Sequence, residues 1–310
     1  MLLAPDKFRD PRVTAAGERR AIVALEALRT LWINTGTLCN LACEGCYIES
    51  SPRNDALAYI TREEARRFLD EARLTRPELA EIGFTGGEPF MNPDMAGLLE
   101  DALAGGWRVL VLTNAMRPMR RHAEALVALN RRWPDSLSLR ISLDHWTQAR
   151  HEAVRGPRSW APTLEGLRFL AAEGLDVAIA ARLLWPDESE AQVRAGYAAL
   201  FAAERLGVNA HDPARLVLFP EMDAGVDTPE ITQACWGLLG KAPSSVMCAS
   251  SRMVMKRRGA ARPAVVSCTL LPYDPRFELG ATLAEADRPV ALNHPHCARF
   301  CVLGGASCSG

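Results

Sequence analysis

The 310-residue sequence has no excess charge of either sign: 36 Lys plus Arg face 37 Asp plus Glu, a net charge of −1. That balance removes the bulk electrostatic reason to bind nucleic acid or an anionic membrane, and neither is expected as a partner. Nor is there an apolar run near the ~20 residues that span a bilayer. The longest candidate, Leu175–Trp185, is too short and carries Arg182. Residues 1–20 do not form a secretory signal, being broken by Asp6, Lys7, Arg9, Asp10 and two prolines. A cytoplasmic location follows as the expectation. No repeat of solenoid period and no low-complexity tract occurs. With 48% hydrophobic and 24% charged residues, the composition excludes wholesale disorder.

Cysteine is missing from residues 47–234, yet the chain holds nine. Cys39, Cys43 and Cys46 lie together, and Cys235, Cys248, Cys268, Cys297, Cys301 and Cys308 fall in the last quarter. A chain this large without an export signal has no need of a disulfide framework, so the clustering points to metal.

From residue 31 to about 220, short apolar runs alternate with helical patterns. The runs are Leu31–Asn34, Glu81–Phe84, Arg108–Thr113, Ser138–Leu143, Val177–Leu183 and Leu216–Phe219. Amphipathic stretches fall near 61–74, 94–104, 117–130, 162–173 and 188–204, the first with a capping box of Thr61 and Glu64. Strands alternating with helices form a parallel sheet, either an open doubly wound one or an incomplete (β/α) barrel. In both, chemistry gathers at the C-terminal ends of the strands. Near residue 240 the pattern changes: Ser251–Lys256 and Pro263–Val266 flank Arg257-Arg258-Gly259 as a hairpin, its basic tip a solvated turn. This divides the chain into a short helical lead-in (1–30), the βα region (31–235) and a cysteine-rich tail (236–310). Of the residues flanking the sixth run, Glu221, Asp223 and His211 are expected on the substrate side.

Cys39, Cys43 and Cys46 follow the first run with C-x3-C-x2-C spacing. Three thiolates so placed can hold three irons of a [4Fe–4S] cube and leave the fourth open, as catalytic metal sites do. A structural zinc would need a fourth local ligand, and the next His is His122. The second run enters Thr85-Gly86-Gly87-Glu88-Pro89, where glycines permit close backbone approach and Glu88 offers a carboxylate to an ammonium group. Runs three and four end in Leu112-Thr113-Asn114 and Ser142-Leu143-Asp144, and His151-Glu152-Ala153-Val154-Arg155-Gly156 follows.

This ordered set resembles the radical S-adenosylmethionine (SAM) superfamily, whose members carry the three-cysteine loop, a GGEP signature and an HD..RG element. The resemblance implies a partial (β/α)6 TIM-type barrel. It implies a [4Fe–4S] cluster on Cys39, Cys43 and Cys46, with SAM on its open iron. Gly86, Gly87 and Glu88 would surround the SAM amino group, and Ser142 and Arg155 its carboxylate and ribose, with Thr113 and Asn114 nearby. Reductive cleavage of SAM to a 5′-deoxyadenosyl radical would then abstract a substrate hydrogen, with an electron donor such as flavodoxin or ferredoxin. The family often places an aromatic before the third cysteine, against adenine. Here that position is Gly45, and Tyr47 follows the cysteine instead.

The tail resembles the twitch auxiliary-cluster domain, a shortened relative of SPASM, and the resemblance implies one auxiliary [4Fe–4S] cluster in a small hairpin-containing, otherwise irregular domain. Cys248, Cys268, Cys297 and Cys301 are the first ligand set, with Cys308 competing for the fourth place and a zinc site using His294 or His296 as the alternative. Cys235 reads either as a small buried residue or as a thiol donating hydrogen to a substrate radical. The leading expectation is oxidation or epimerisation of a small metabolite. A peptide- or protein-modifying enzyme ranks second because only about 30 residues precede the first run, and a non-catalytic iron–sulfur or zinc protein is the third reading.

Overall fold

The computed structural model describes residues 2–306. Six parallel strands follow the six apolar runs: β2 (Thr30–Asn34), β3 (Glu81–Thr85), β4 (Arg108–Thr113), β5 (Leu137–Ser142), β6 (Asp176–Leu183) and β7 (Leu216–Pro220). A short β1 (Ile22–Val23) precedes them. Each of β2 to β7 pairs in parallel with its neighbour in chain order, and β2 is buried along its whole length. Near-continuous apolar strands are what a parallel sheet covered on both faces requires. The covering helices are α1 (Arg62–Thr75), α2 (Met95–Ala104), α3 (Arg117–Arg120), α4 (Ala123–Arg132), α5 (Gln148–Arg155), α6 (Trp160–Ala172) and α7 (Glu190–Ala203).

The capping box of α1 is present: the Glu64 amide donates to Thr61 Oγ1 at 3.2 Å, and the Thr61 amide to Glu64 Oε2 at 3.0 Å. The helix expected over 117–130 is broken into α3 and α4 around Arg121 and His122. A short α8 (Cys235–Leu239) opens the tail.

The hairpin forms as expected, with β8 (Ser251–Met255) antiparallel to β9 (Ala264–Val266), and β10 (Glu278–Gly280) added outside β9. Its placement ties the tail to the βα region across the boundary expected at residue 235, because β8 also pairs in parallel with β2. Barrel and tail therefore share one nine-stranded sheet, ordered β10-β9-β8-β2-β3-β4-β5-β6-β7. The basic tip is tied down by ion pairs, Lys256 to Glu64 at 2.6 Å and Arg258 to Asp55 at 2.8 Å.

The helical lead-in expected over residues 1–30 is corrected. Among its described residues there is no helix. Instead β1 pairs antiparallel with β11 (Val290–Ala291), and isolated bridges join Leu2 to Val226 and Arg20 to Thr232. Pro5, Pro11 and Gly17 discourage a helix. The fully buried Arg20 anchors the segment through Glu230 and the carbonyls of Asp10, Val13 and Leu292. Local propensity and pairing with residues more than 200 positions away therefore both favour an extended lead-in. No described helix is long and apolar enough to cross a membrane.

Candidate active site

The C-terminal ends of β2 to β7 surround an open cavity of about 1140 Å3. Cys39, Cys43 and Cys46 line it together with Tyr47, Gly86, Gly87, Thr113, Asn114, Ser142 and Arg155. All but one of the residues expected around SAM thus face a single space.

The three-thiol loop is held by backbone pairing. Thr37 donates to Leu57 O at 3.0 Å, and Cys39 to Ser51 O at 3.1 Å. On its other side Gly87 donates to Gly36 O at 2.8 Å, and Glu88 to Leu38 O at 3.1 Å. A Cβ on Gly86 would lie 2.5 Å from Gly36 O, and one on Gly87 2.3 Å from Leu38 O. Gly86 also has φ +144. The glycine pair is therefore demanded by the close passage of the cluster loop itself, a reason the sequence could not disclose.

Glu88 is the exception. It is buried away from the cavity lining, where its Oε1 accepts from Thr113 Oγ1 at 2.7 Å and its Oε2 from the Asn114 amide at 2.9 Å. Burial raises its pKa against those opposing hydrogen bonds. Its carboxylate braces the end of β4. Asn114 continues the brace, donating to Asn40 Oδ1 inside the cluster loop at 2.9 Å.

On the opposite wall Asp144, only 2% exposed, lies between two guanidiniums. Arg155 Nε donates to its Oδ2 at 2.6 Å and Arg182 Nε to its Oδ1 at 2.9 Å. Burial pushes the Asp144 carboxyl up, but Arg155 and Arg182 outweigh it and hold the pKa below the usual range. Burial likewise opposes the charge of Arg155, and Asp144 more than restores it. Two cations against one anion leave a net positive charge, suited to a carboxylate ligand. The signal for Arg182 is a lone cation near the end of the otherwise apolar run Val177–Leu183. Its partner Asp144 closes the Ser142-Leu143-Asp144 end of the fourth run.

Burial pushes the Cys39 thiol up to about 12 and also raises Cys43, the latter against the attraction of Arg155. Without metal these sulfurs are protonated, so ligation must release protons. Among the described residues no group of three or more His, Cys, Asp or Glu side chains could hold a single metal ion. Three cysteine sulfurs from one loop, lining one cavity, are the donors that a [4Fe–4S] cube with one open iron takes from its protein. The donor set therefore fits the cluster.

A second, smaller cavity of about 350 Å3 lies in the tail, lined by Cys248, Cys268, Cys297 and Cys301 among mainly apolar side chains. Cys297 and Cys301 come from one π-helical segment, Cys297–Leu303, and Cys248 and Cys268 from either side of the β8–β9 hairpin. Burial raises the pKa of Cys248, Cys268 and Cys297. Arg252 is buried beside them, donating to the carbonyls of Cys248, Ser251, Ala286 and Arg288. His296 reaches the cavity edge, whereas His294 is taken up by the His296 amide at 3.1 Å. Cys308 lies outside the described residues.

Two expected site residues fall elsewhere. Cys235 lines neither cavity, and its sulfur accepts from the Thr232 amide at 3.3 Å, so it does not face the cavity as a hydrogen donor must. His211 precedes β7 and so sits at the opposite end of the parallel sheet, since only strand C-termini face the cavity. Glu221 and Asp223 do follow β7 and line an outer groove of about 1300 Å3. That groove shares Gly45, Cys46, Tyr47, Arg182 and Met222 with the inner cavity.

A parallel βα sheet presenting an open three-thiol site and an anion-binding wall at its strand ends defines an iron–sulfur enzyme that activates a carboxylate-bearing cofactor. The model of the radical SAM superfamily matches residues 33–196, more than half of the chain, and the chain belongs to that superfamily. Members use a [4Fe–4S] cluster and SAM. The mycofactocin maturase MftC of Mycobacterium ulcerans is 35% identical over 136 residues, 44% of this chain and 34% of that protein. The antilisterial bacteriocin subtilosin biosynthesis protein AlbA of Bacillus subtilis is 31% identical over 143 residues, 46% of this chain and 30% of that protein. The matched stretches thus amount to about a third of each relative. In fold, the chain resembles Streptococcus suis SuiB bound to S-adenosylmethionine, with a TM-score of 0.59 at 14% identity over 83% of this chain and 64% of that one. SuiB has also been solved with its precursor peptide SuiA.

Proposed function

We propose that this chain is a peptide-modifying radical SAM enzyme. Cys39, Cys43 and Cys46 ligate the cluster that binds SAM, and Cys248, Cys268, Cys297 and Cys301 hold one auxiliary [4Fe–4S] cluster in a twitch-like tail. The observation that carries the substrate class is the outer groove adjoining the inner cavity across a shared rim. Such a groove suits an extended chain better than a small metabolite, which binds best when most of its surface is enclosed. Two of the higher-identity relatives, a mycofactocin maturase and a protein of bacteriocin biosynthesis, and a fold neighbour solved with a precursor peptide support this reading. AdoMet-dependent heme synthases match a similar share of the chain at 28–31% identity. On the grounds of the groove and the peptide-linked relatives, the peptide reading is preferred to the small-metabolite substrate expected from the sequence.

When bound, cluster and SAM supply a hydrogen-abstracting radical, and a reduced flavodoxin- or ferredoxin-type protein supplies the electron. The protein's part is positional. Arg155 and Ser142 would hold the cofactor carboxylate and ribose, and Gly86 and Gly87 would border its amino group. Leu112, Phe219, Leu270 and Phe300 line the cavity and exclude water from it. Cys248, Cys268, Cys297 and Cys301 would hold the auxiliary cluster, which would supply an acceptor for a substrate electron and make an oxidative outcome possible without a donor thiol.

The test is anaerobic incubation of reconstituted protein with SAM and dithionite, against a library of deuterated 20–50-residue peptides and a panel of sugars and aminocyclitols. Deuterium in 5′-deoxyadenosine, with a mass change in a peptide, is expected. Transfer only from sugars or aminocyclitols would sink the peptide reading and restore the metabolite one.

A further inference from the structure

Arg182 sits at the C-terminal end of β6 with its side chain 19% exposed, in the rim shared by cavity and groove. Its guanidinium makes two kinds of contact at once. On one edge Nε and Nη2 reach the two oxygens of Asp144, at 2.9 and 3.5 Å. On the other, Nη1 donates to Glu44 O and Gly45 O, both at 3.2 Å, between the second and third cysteines. The Glu44 amide donates to Val154 O at 2.8 Å, one residue before Arg155 on α5. The Cys43–Cys46 segment is therefore held from α5 by its N–H and from β6 by its carbonyls.

Gly45 is part of the same device. It has φ +64, and a Cβ there would lie 3.2 Å from Arg182 Nη1. The glycine leaves the guanidinium room to approach the backbone.

We propose that Arg182 is a positioning residue for SAM: it sets the cluster loop against the cofactor's anion clamp by bridging the Glu44 and Gly45 carbonyls to the Asp144 carboxylate that also orients Arg155. Two consequences follow from its chemistry. Its charge offsets Asp144, so that Arg155 keeps positive potential for the SAM carboxylate. Its rigid fork spans a carboxylate and two carbonyls, which the single ammonium of Lys does not. The proposal rests on SAM binding in the inner cavity and is independent of the peptide reading, because its test contains no substrate.

Arg182→Gln and Arg182→Lys are compared with wild type after anaerobic reconstitution, by iron content, by equilibrium dialysis of SAM, and by the change SAM induces in the EPR spectrum of the dithionite-reduced cluster. Arg182→Gln is expected to keep its iron but bind SAM about tenfold more weakly with a diminished spectral change, whereas Arg182→Lys, keeping charge without fork, loses about threefold. A merely structural residue would not move affinity and spectrum at constant iron. Wild-type SAM affinity and spectral response in Arg182→Gln overturn the proposal. Should that variant fail to take up iron, Arg182→Lys decides: weakened SAM binding with intact iron supports it, and wild-type values overturn it.

Discussion

A single methyl group measures how closely the cluster loop approaches β3. Gly87→Ala would force a Cβ to within 2.3 Å of the Leu38 carbonyl, against backbone that cannot swing aside. The expected cost is on the order of 1–3 kcal/mol, as for overpacking elsewhere, with iron at the first site lost. Thermal unfolding and iron analysis check it, and an unchanged protein would show that the loop can yield. A second residue-scale effect concerns His151. Its ring is fully buried with neither nitrogen hydrogen-bonded, edge-on to Trp160. Burial, with Arg155 adding to it and Asp144, Glu152 opposing, depresses its pKa to about 4. Because the unfolded chain takes up this proton near pH 6.5 and the folded one does not, stability is full above that pH. It falls as pH drops toward 4. Urea midpoints should show wild type losing about 2 kcal/mol between pH 7 and pH 5 through this group. His151→Leu should lose correspondingly less, and an equal loss in both would refute the assignment.

At the scale of elements, helices with long apolar stripes were legible and short ones were not. α5 buries only His151 and Val154, too brief a pattern for periodicity to reveal, yet it delivers Arg155. Likewise the π-helical segment leaves no signature beyond Cys-x3-Cys, although it carries two thiols of the tail cavity. Replacing Cys297 and Cys301 by serine should remove about four irons while leaving the SAM-induced EPR change of the first site intact. Loss of that change as well would tie the two sites together. α8 carries Cys235 outside both cavities, so Cys235→Ala should keep 5′-deoxyadenosine formation within about twofold of wild type and cost no more than about 1 kcal/mol. Loss of activity at full iron content would return the thiol to the chemistry.

For the whole molecule, the decisive feature is that β8 pairs with β2. Deleting residues 236–310 would strip β2 of that neighbour and expose an apolar strand edge, so the shortened chain should fail to fold cooperatively. A sharp two-state transition in it would restore the tail to independence. Metal content reads the molecule as a unit: about eight irons after reconstitution of wild type, and about four in the Cys39/Cys43/Cys46→Ala variant. Deoxyadenosine should come from wild type alone. About four irons in wild type and none in the variant would remove the auxiliary cluster.

The amino-acid order by itself determined the βα alternation, the three-thiol loop, the hairpin and the tail cysteines. Each is local: a strand's apolar run, a helix's cap and a loop's cysteine spacing are set by neighbours within a few positions. Only the tertiary structure decided that Glu88 braces β4, that Asp144 joins Arg155 to Arg182, and that the lead-in lies as strand over β11. Those choices depend on which groups meet when segments tens to hundreds of residues apart are packed together. Burial then forces each polar group to find a partner that linear order does not name.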